Sequence, residues 1–334
     1  MGALVRSLYK YLFLFIIFCC PLQALAQATA TGSAQAWPSR PIRFIVPFPP
    51  GGGTDVNARM IAPRLAAALG QQVVVENRTG AGGMVGTEFV AKSAPDGYTM
   101  VIATIGPIAI NQSLYSRMTY DPAKDLAPVT ITGEVPNGLV VHPALPAKSL
   151  KELITLAKQR PRELNYGSSG AGAGDHLAAE MLNVIAGIRM THVPYKGGPP
   201  AMVDLMAGNI QLIFATLATG MPYIRAGRVR TLAVASAQRY AILPDVPTVA
   251  EAGVPGYAIN NWAGVFVAAG TPRAIIERLN SEIVKALGAP EVRQKLLEMG
   301  LVAGTNTPEQ FASYIQSETV KWAKVVKDAN IKID

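Results

Sequence analysis

The stretch from Phe44 to Asp55, FIVPFPPGGGTD, constrains the chain more than any other. Phe44-Ile45-Val46 is a short apolar run broken by Pro47, Pro49 and Pro50, and Gly51-Gly52-Gly53 leads through Thr54-Asp55 into a helical pattern. An apolar strand, a turn without side chains and a capped helix start place the helix's unpaired N–H donors, and the positive end of its dipole, at the edge of a sheet. Bare glycine backbone lets a ligand approach those donors, and an anion is the natural guest. Neither a Gly-Lys-Ser/Thr ending nor Gly-x-Gly-x-x-Gly spacing is present, so a small anion such as a carboxylate fits better than a nucleotide. Taken alone, a glycine run before a helix is equally compatible with a plain flexible turn.

The design recurs. A helical pattern through Val56, Met60, Leu65 and Leu69 stops at Gly70, and Pro63 inside it implies a kink or a late start. Val73–Asn77 predicts a second strand, residues 78–86 a second glycine-rich turn before a short helix, and residues 98–103 a third strand. The turn from Thr104 to Pro107 opens another short helix near Asn111. Strand, glycine turn, helix and strand again is the alternation of a parallel α/β sheet. Residues 127–133 and 138–142 are two extended runs with no long helix between them, as expected of a crossing between two lobes.

Ser149-Leu150-Lys151-Glu152 is a capping box, residues 164–168 a strand, and residues 168–174 a loop of the first design, followed by a helix holding His176. Thr191–Pro194, the turn Tyr195-Lys196-Gly197-Gly198 and a helix over residues 199–207 repeat the pattern. Residues 210–215 and 231–235 predict strands, and residues 257–268 a long extended run that returns the chain to the first lobe. Helices starting at Thr271-Pro272 and at the capping box Thr307-Pro308-Glu309-Gln310 read as packing elements. The expected domains are a first lobe over residues 37–138, a second over 139–258 and a return segment over 259–334. Ligands of open α/β sheets bind at the carboxyl edge of the strands, so one cleft between the lobes is expected, and two crossings allow a hinge.

Residues 1–26 read as a signal peptide, with Arg6 and Lys10 before an apolar run over residues 12–20 and Ala24-Leu25-Ala26 ahead of Gln27. The run is shorter than the roughly 20 residues of a spanning helix. Cys19 and Cys20 both fall inside it, so the mature chain has no thiol for disulfides or cysteine chemistry. Bulky residues at positions 15–18 argue against lipidation. Residues 27–36 are small and polar and predict a disordered lead-in. The formal charge of +8 falls to +6 once Arg6 and Lys10 are removed, and the remaining basic residues are scattered, so no nucleic-acid partner is indicated. His142, His176 and His192 are widely spaced and support no metal site. The expectation is a soluble protein outside the cytoplasm without a cofactor.

Four segments, VPFPPGGGTD, VENRTGAGGMVGTEFVAKSAPDGYT, VPYKGGPPAMVDLMAG and LAVASAQRYAILPDVPTVAEAGVPGY, carry a likeness over nearly all of the mature chain. The sequence resembles the Bug family of extracytoplasmic solute-binding receptors of tripartite tricarboxylate transporters. The resemblance implies a two-lobed periplasmic binding protein fold of the type with two crossovers, and a monomer that captures a small carboxylated solute for delivery to membrane partners. It also implies that backbone donors and bridging waters from loops of both lobes hold the ligand carboxylate. Carried onto this chain, those loops contain Phe48, Gly52, Gly53, Thr54, Asp55, Thr104, Asn111, Ser168, Ser169, Gly170, His176, Tyr195, Lys196 and Gly197. The hydroxyls of Thr54, Thr104, Ser168 and Ser169 are suitable carboxylate donors.

Phe48 and Trp262 are either ligand contacts or core and hinge aromatics, and Lys196 either attracts the anion or is solvated. Where many relatives have acidic residues after the Tyr195 loop, this chain has Gln211 and Ala215, followed by Thr216, which disfavours an amino-acid ligand and favours a purely anionic one. Two other classes remain open. A sensor would pass the closed shape to a membrane partner. A hydrolase would use Ser168 or Ser169, His176 and Asp175 or Asp204 as a triad, but Gly167-Ser168-Ser169-Gly170 is one residue short of a Gly-x-Ser-x-Gly elbow.

Overall fold

Two sheets divide the strands between them, and the chain passes from one sheet to the other twice. A computed structural model describes residues 37–328; the expected signal peptide and lead-in lie outside those residues. Residues 1–39 and 40–334 form separate units, and the account below concerns the second.

The first sheet has the order β11-β4-β10-β3-β1-β2. Its strands are β1 (Ile42–Val46), β2 (Val73–Asn77), β3 (Thr99–Thr104), β4 (Leu126–Glu134), β10 (Trp262–Ala268) and β11 (Val302–Ala303). The second has the order β7-β6-β8-β5-β9. It is built from β5 (Asn137–Val141), β6 (Asn165–Ser168), β7 (Thr191–Pro194), β8 (Leu212–Thr216) and β9 (Arg230–Val234). Parallel pairs β2-β1-β3 and β7-β6-β8 form the heart of each lobe. The strands nearest the crossings, β4, β10 and β5, run antiparallel to their neighbours.

Burial on both faces explains the composition of β1, in which Ile42, Phe44, Ile45 and Val46 are all inaccessible to solvent. Helix α1 (Gly53–Leu69) follows and stops at Gly70 in the left-handed conformation, which only glycine adopts cheaply. The expected late start is not found, since the helix begins at Gly53 and continues through Pro63. Helix α2 (Met84–Ala91) follows the second glycine turn, and residues Gly106–Ile110 and Asn111–Leu114 make two short turns after β3. The second lobe carries α3 (Leu150–Gln159), α4 (Gly174–Ala186), α5 (Gly198–Ala207) and α6 (Leu217–Arg225). Helices α7 (Arg273–Gly288), α8 (Pro290–Glu298) and α9 (Pro308–Asp328) complete the chain. Both capping boxes form: Glu152 N–H donates to Ser149 Oγ (3.2 Å), and Gln310 N–H donates to Thr307 Oγ1 (3.2 Å).

Two expectations are corrected. The first change of sheet falls between Glu134 and Asn137, ahead of the boundary placed after residue 138, because Asn137 already pairs with Thr216 in the second sheet. The long extended run over residues 257–268 is a strand only from Trp262; before it, Ile259 N–H donates to Ala235 O (2.8 Å) on the second lobe. The two crossings are tied to each other where Val135 N–H donates to Asn261 O (2.7 Å). Trp262, one of two fully buried tryptophans, then packs edge-on against Phe311 (5.4 Å) and Tyr314 (5.8 Å) of α9.

Candidate functional site

Four strands of the two sheets end in turns that open helices toward one place. The turn after β1 starts α1, the one after β6 starts α4, the one after β7 starts α5, and β8 runs into α6. At three of these helices the N-cap residue is Gly52, Ala173 or Gly197, none of which makes a side-chain cap hydrogen bond. At the fourth, Thr216 Oγ1 accepts from Thr219 N–H (3.3 Å). First-turn N–H groups without an intrahelical partner need an acceptor.

All four helix starts line a single cavity: Gly52 to Thr54 from α1, Ala173 to Asp175 from α4, Gly198 and Pro199 from α5, and Thr216 and Thr219 from α6. Phe48, Pro49, Thr104 and Ser169 add to the wall, and Val135, Asn137 and Asn261 close it from the two crossings. No lysine or arginine lines it, and the positive charge its wall supplies is that of the helix-start dipoles. About 40 Å³ is open to the centres of water molecules, room for about three waters at 10–15 Å³ each.

Asp175 is the one acidic group in the wall. Its Oδ2 accepts from Ser169 N–H (2.7 Å) and Ser169 Oγ–H (2.6 Å), and its Oδ1 from His176 N–H (2.9 Å). Burial pushes its carboxyl up to about 6 in spite of those hydrogen bonds. A second cavity adjoins the first, sharing Phe48, Pro49 and Ser169 and continuing past Gly80 to Gly83 on one lobe and Ala171, Tyr195 and Lys196 on the other. It offers about 260 Å³ to water centres.

The lobes meet around this site through glycines. A Cβ added at Gly82 would lie 2.3 Å from Ala171 O, one at Gly106 2.4 Å from Gly172 O, and one at Gly197 2.3 Å from Pro49 Cγ. Each pair joins one lobe to the other, so the cleft is shut. Tyr115 Oη–H also donates across it to Ala171 O (3.2 Å).

Of the residues singled out in the sequence, Phe48, Gly52, Gly53, Thr54, Thr104, Ser169 and Thr216 line the first cavity, and Gly170, Tyr195 and Lys196 the second. The others stand behind the walls. Asp55 is buried and accepts from Gly51 N–H (3.0 Å), Arg59 Nε–H (3.0 Å) and Asn77 Nδ2–H (2.9 Å), bracing the first glycine turn. Burial pushes the Asp55 carboxyl up, but the hydrogen bonds outweigh it and hold it below the usual carboxylate range. Asn111 is fully buried against Gly172, with neither amide atom partnered among the described residues. Gly197 holds the left-handed turn against Pro49, and Trp262 belongs to the core under α9.

Ser168 and His176 also differ from the triad arrangement. Ser168 has no exposure and bonds to Nε2 of His192 (2.6 Å). His176 accepts at Nδ1 from Gly172 N–H (3.2 Å) and stacks on His192 with ring centres 4.0 Å apart. Burial and the neighbouring His192 push His176 down to about 3, and burial takes His192 to about 4, so both rings are neutral loop supports. Ser169, which does line the cavity, bonds to Asp175 and not to a histidine. Residues missed in the sequence are Asn137, Thr219 and Asn261. The signal available for the two asparagines was an amide in an otherwise apolar extended run, at each place where the chain changes lobe.

Residues 57–331 match the family described as tripartite tricarboxylate transporter family receptor. Protein BugT of Bordetella pertussis is 40% identical over 311 residues, 93% of this chain and 95% of BugT. Among solved structures, Rpa4515 of R. palustris with adipate superposes with a TM-score of 0.86 at 42% identity, covering 89% of this chain and 99% of that one. MatC of Rhodopseudomonas palustris with bound malate gives a TM-score of 0.83 at 33% identity, covering 87% and 100%.

Proposed function

The chain belongs to the tripartite tricarboxylate transporter receptor family, and we propose that it captures a small organic carboxylate between its lobes in the periplasm and delivers it to the membrane components of such a transporter. One observation carries this reading: three helices whose N-cap residues make no side-chain cap start at one small cavity lined by no lysine or arginine. Backbone N–H groups of the helix starts and the hydroxyls of Thr54 and Thr104 can donate to a carboxylate directly or through water, the Ser169 hydroxyl being engaged by Asp175. Adipate and malate in the structures of two relatives agree with that chemistry.

The first cavity has room for a carboxylate and little more, so the remainder of the ligand extends past Phe48 into the second cavity, toward Tyr195 and Lys196. In this reading the protein acts as a monomeric receptor, and Ser169 in the wall is bonded to Asp175 rather than to a histidine. Among the described residues no helix is long and apolar enough to cross a membrane.

The test is a thermal-shift panel of mono- and dicarboxylates beside their uncharged amides. A carboxylate at a hundredfold excess over its dissociation constant stabilises the native state by about 2.7 kcal/mol. The amides are expected to give no shift. Equal shifts from acids and amides, or none from any acid, would overturn the reading.

A further inference from the structure

Asn261 lies at the second crossing between the lobes, lines the first cavity and is 6% exposed. Its orientation is set by a relay that starts at the backbone. The carbonyl of Phe214 can only accept, and it takes Nδ2–H of Asn137 at 2.8 Å. That turns Oδ1 of Asn137 the other way, where it accepts from Nδ2–H of Asn261 at 3.2 Å. Oδ1 of Asn261 is therefore left as an acceptor, buried and without a partner among the described residues. It sits beside the uncapped start of α4: a Cβ added at Gly174 would lie 3.0 Å from it.

Donors suited to a carboxylate make up the helix starts around it, so this oxygen asks for the opposite partner, a donor on the ligand. We propose that Asn261 determines specificity by accepting a hydrogen bond from a hydroxyl on the carbon next to the captured carboxylate, which makes the ligand a 2-hydroxycarboxylate. This rests on the carboxylate-capture reading above. A hydroxyl suits the place better than an ammonium group, because the cavity is bordered by the positive ends of helices and Asp175, its one carboxylate, already accepts from Ser169 and His176.

The experiment is calorimetric titration of the purified protein with acid pairs that differ only by the 2-hydroxyl: malate against succinate, 2-hydroxyglutarate against glutarate, lactate against propionate. Within the pairs that bind, the hydroxy acid is expected to bind about tenfold tighter, the worth of one net hydrogen bond, with one enantiomer preferred. In Asn261→Leu that ratio is expected to fall to about one. The wild-type ratio is decisive by itself should the variant not fold. Equal affinities within a pair would overturn the inference and leave carboxylate capture standing, as would tighter binding of 2-amino acids. Absence of binding by every acid would overturn both.

Discussion

Gly106→Ala separates closure from folding. Gly106 occupies a helical turn and needs no left-handed backbone, so alanine suits its own lobe and gains up to about 1 kcal/mol of helix propensity. In the shut cleft, however, the new Cβ would lie 2.4 Å from the carbonyl oxygen of Gly172 on the other lobe, where ordinary contact begins at 3.4 Å. The rim must part there by about 1 Å, and overpacking of that kind costs about 1–3 kcal/mol. Only the closed state bears the cost. Ligand affinity is therefore expected to drop about 5- to 150-fold, while the midpoint of thermal unfolding without ligand stays level or rises. Titration calorimetry and a melting curve on the same preparation read the two effects. Gly288→Ala, where an added Cβ meets nothing within 4 Å, is the matched control. Affinity within twofold of the wild type would refute the reasoning, and so would a fall in melting midpoint large enough to account for the lost binding.

Two other outcomes follow from the site's surroundings. Asp175 is neutral below its value of about 6 and charged above it, so affinity for an anion is expected to fall as pH rises through 6, by at most tenfold per pH unit; Asp175→Asn should flatten that profile in titrations from pH 5 to 8. Trp262→Ala removes a fully buried side chain from the aromatic cluster under α9 and is expected to cost about 3–5 kcal/mol in denaturant unfolding. A stability loss below about 1 kcal/mol accompanied by weakened binding would instead put Trp262 at the ligand.

Local punctuation made much of the fold legible. Val73–Asn77 and Thr191–Pro194 coincide with their sequence assignments because a run of extended residues stops at a turn on each side. The glycine turns were legible as breaks ahead of helix starts for the same reason. Helix α6 was not, since Gly220 and Pro222 lie inside it and its support comes from the Thr216 cap and burial of Leu217 and Met221. The walls supplied by Asn137 and Asn261 depend on contacts between residues 124 positions apart, which no local pattern encodes. Trp262 misled because an aromatic residue at a crossing suits a cleft and a core equally well, and only the position of α9 decides between them.

The order of strands in the first sheet has a consequence for how the chain folds. Among the described residues the strands that pair with β4 are β10 and β11, and β10 lies between β3 and β4. A nascent chain that has reached Glu134 holds three strands that can pair, β2-β1-β3, and one that cannot. The whole second lobe must emerge before Trp262–Ala268 slots between β3 and β4. Closing so long a loop is a late, entropically costly event, and until it happens two strand edges stay open. The first lobe is thus completed after the second, whose five strands all lie between Asn137 and Val234.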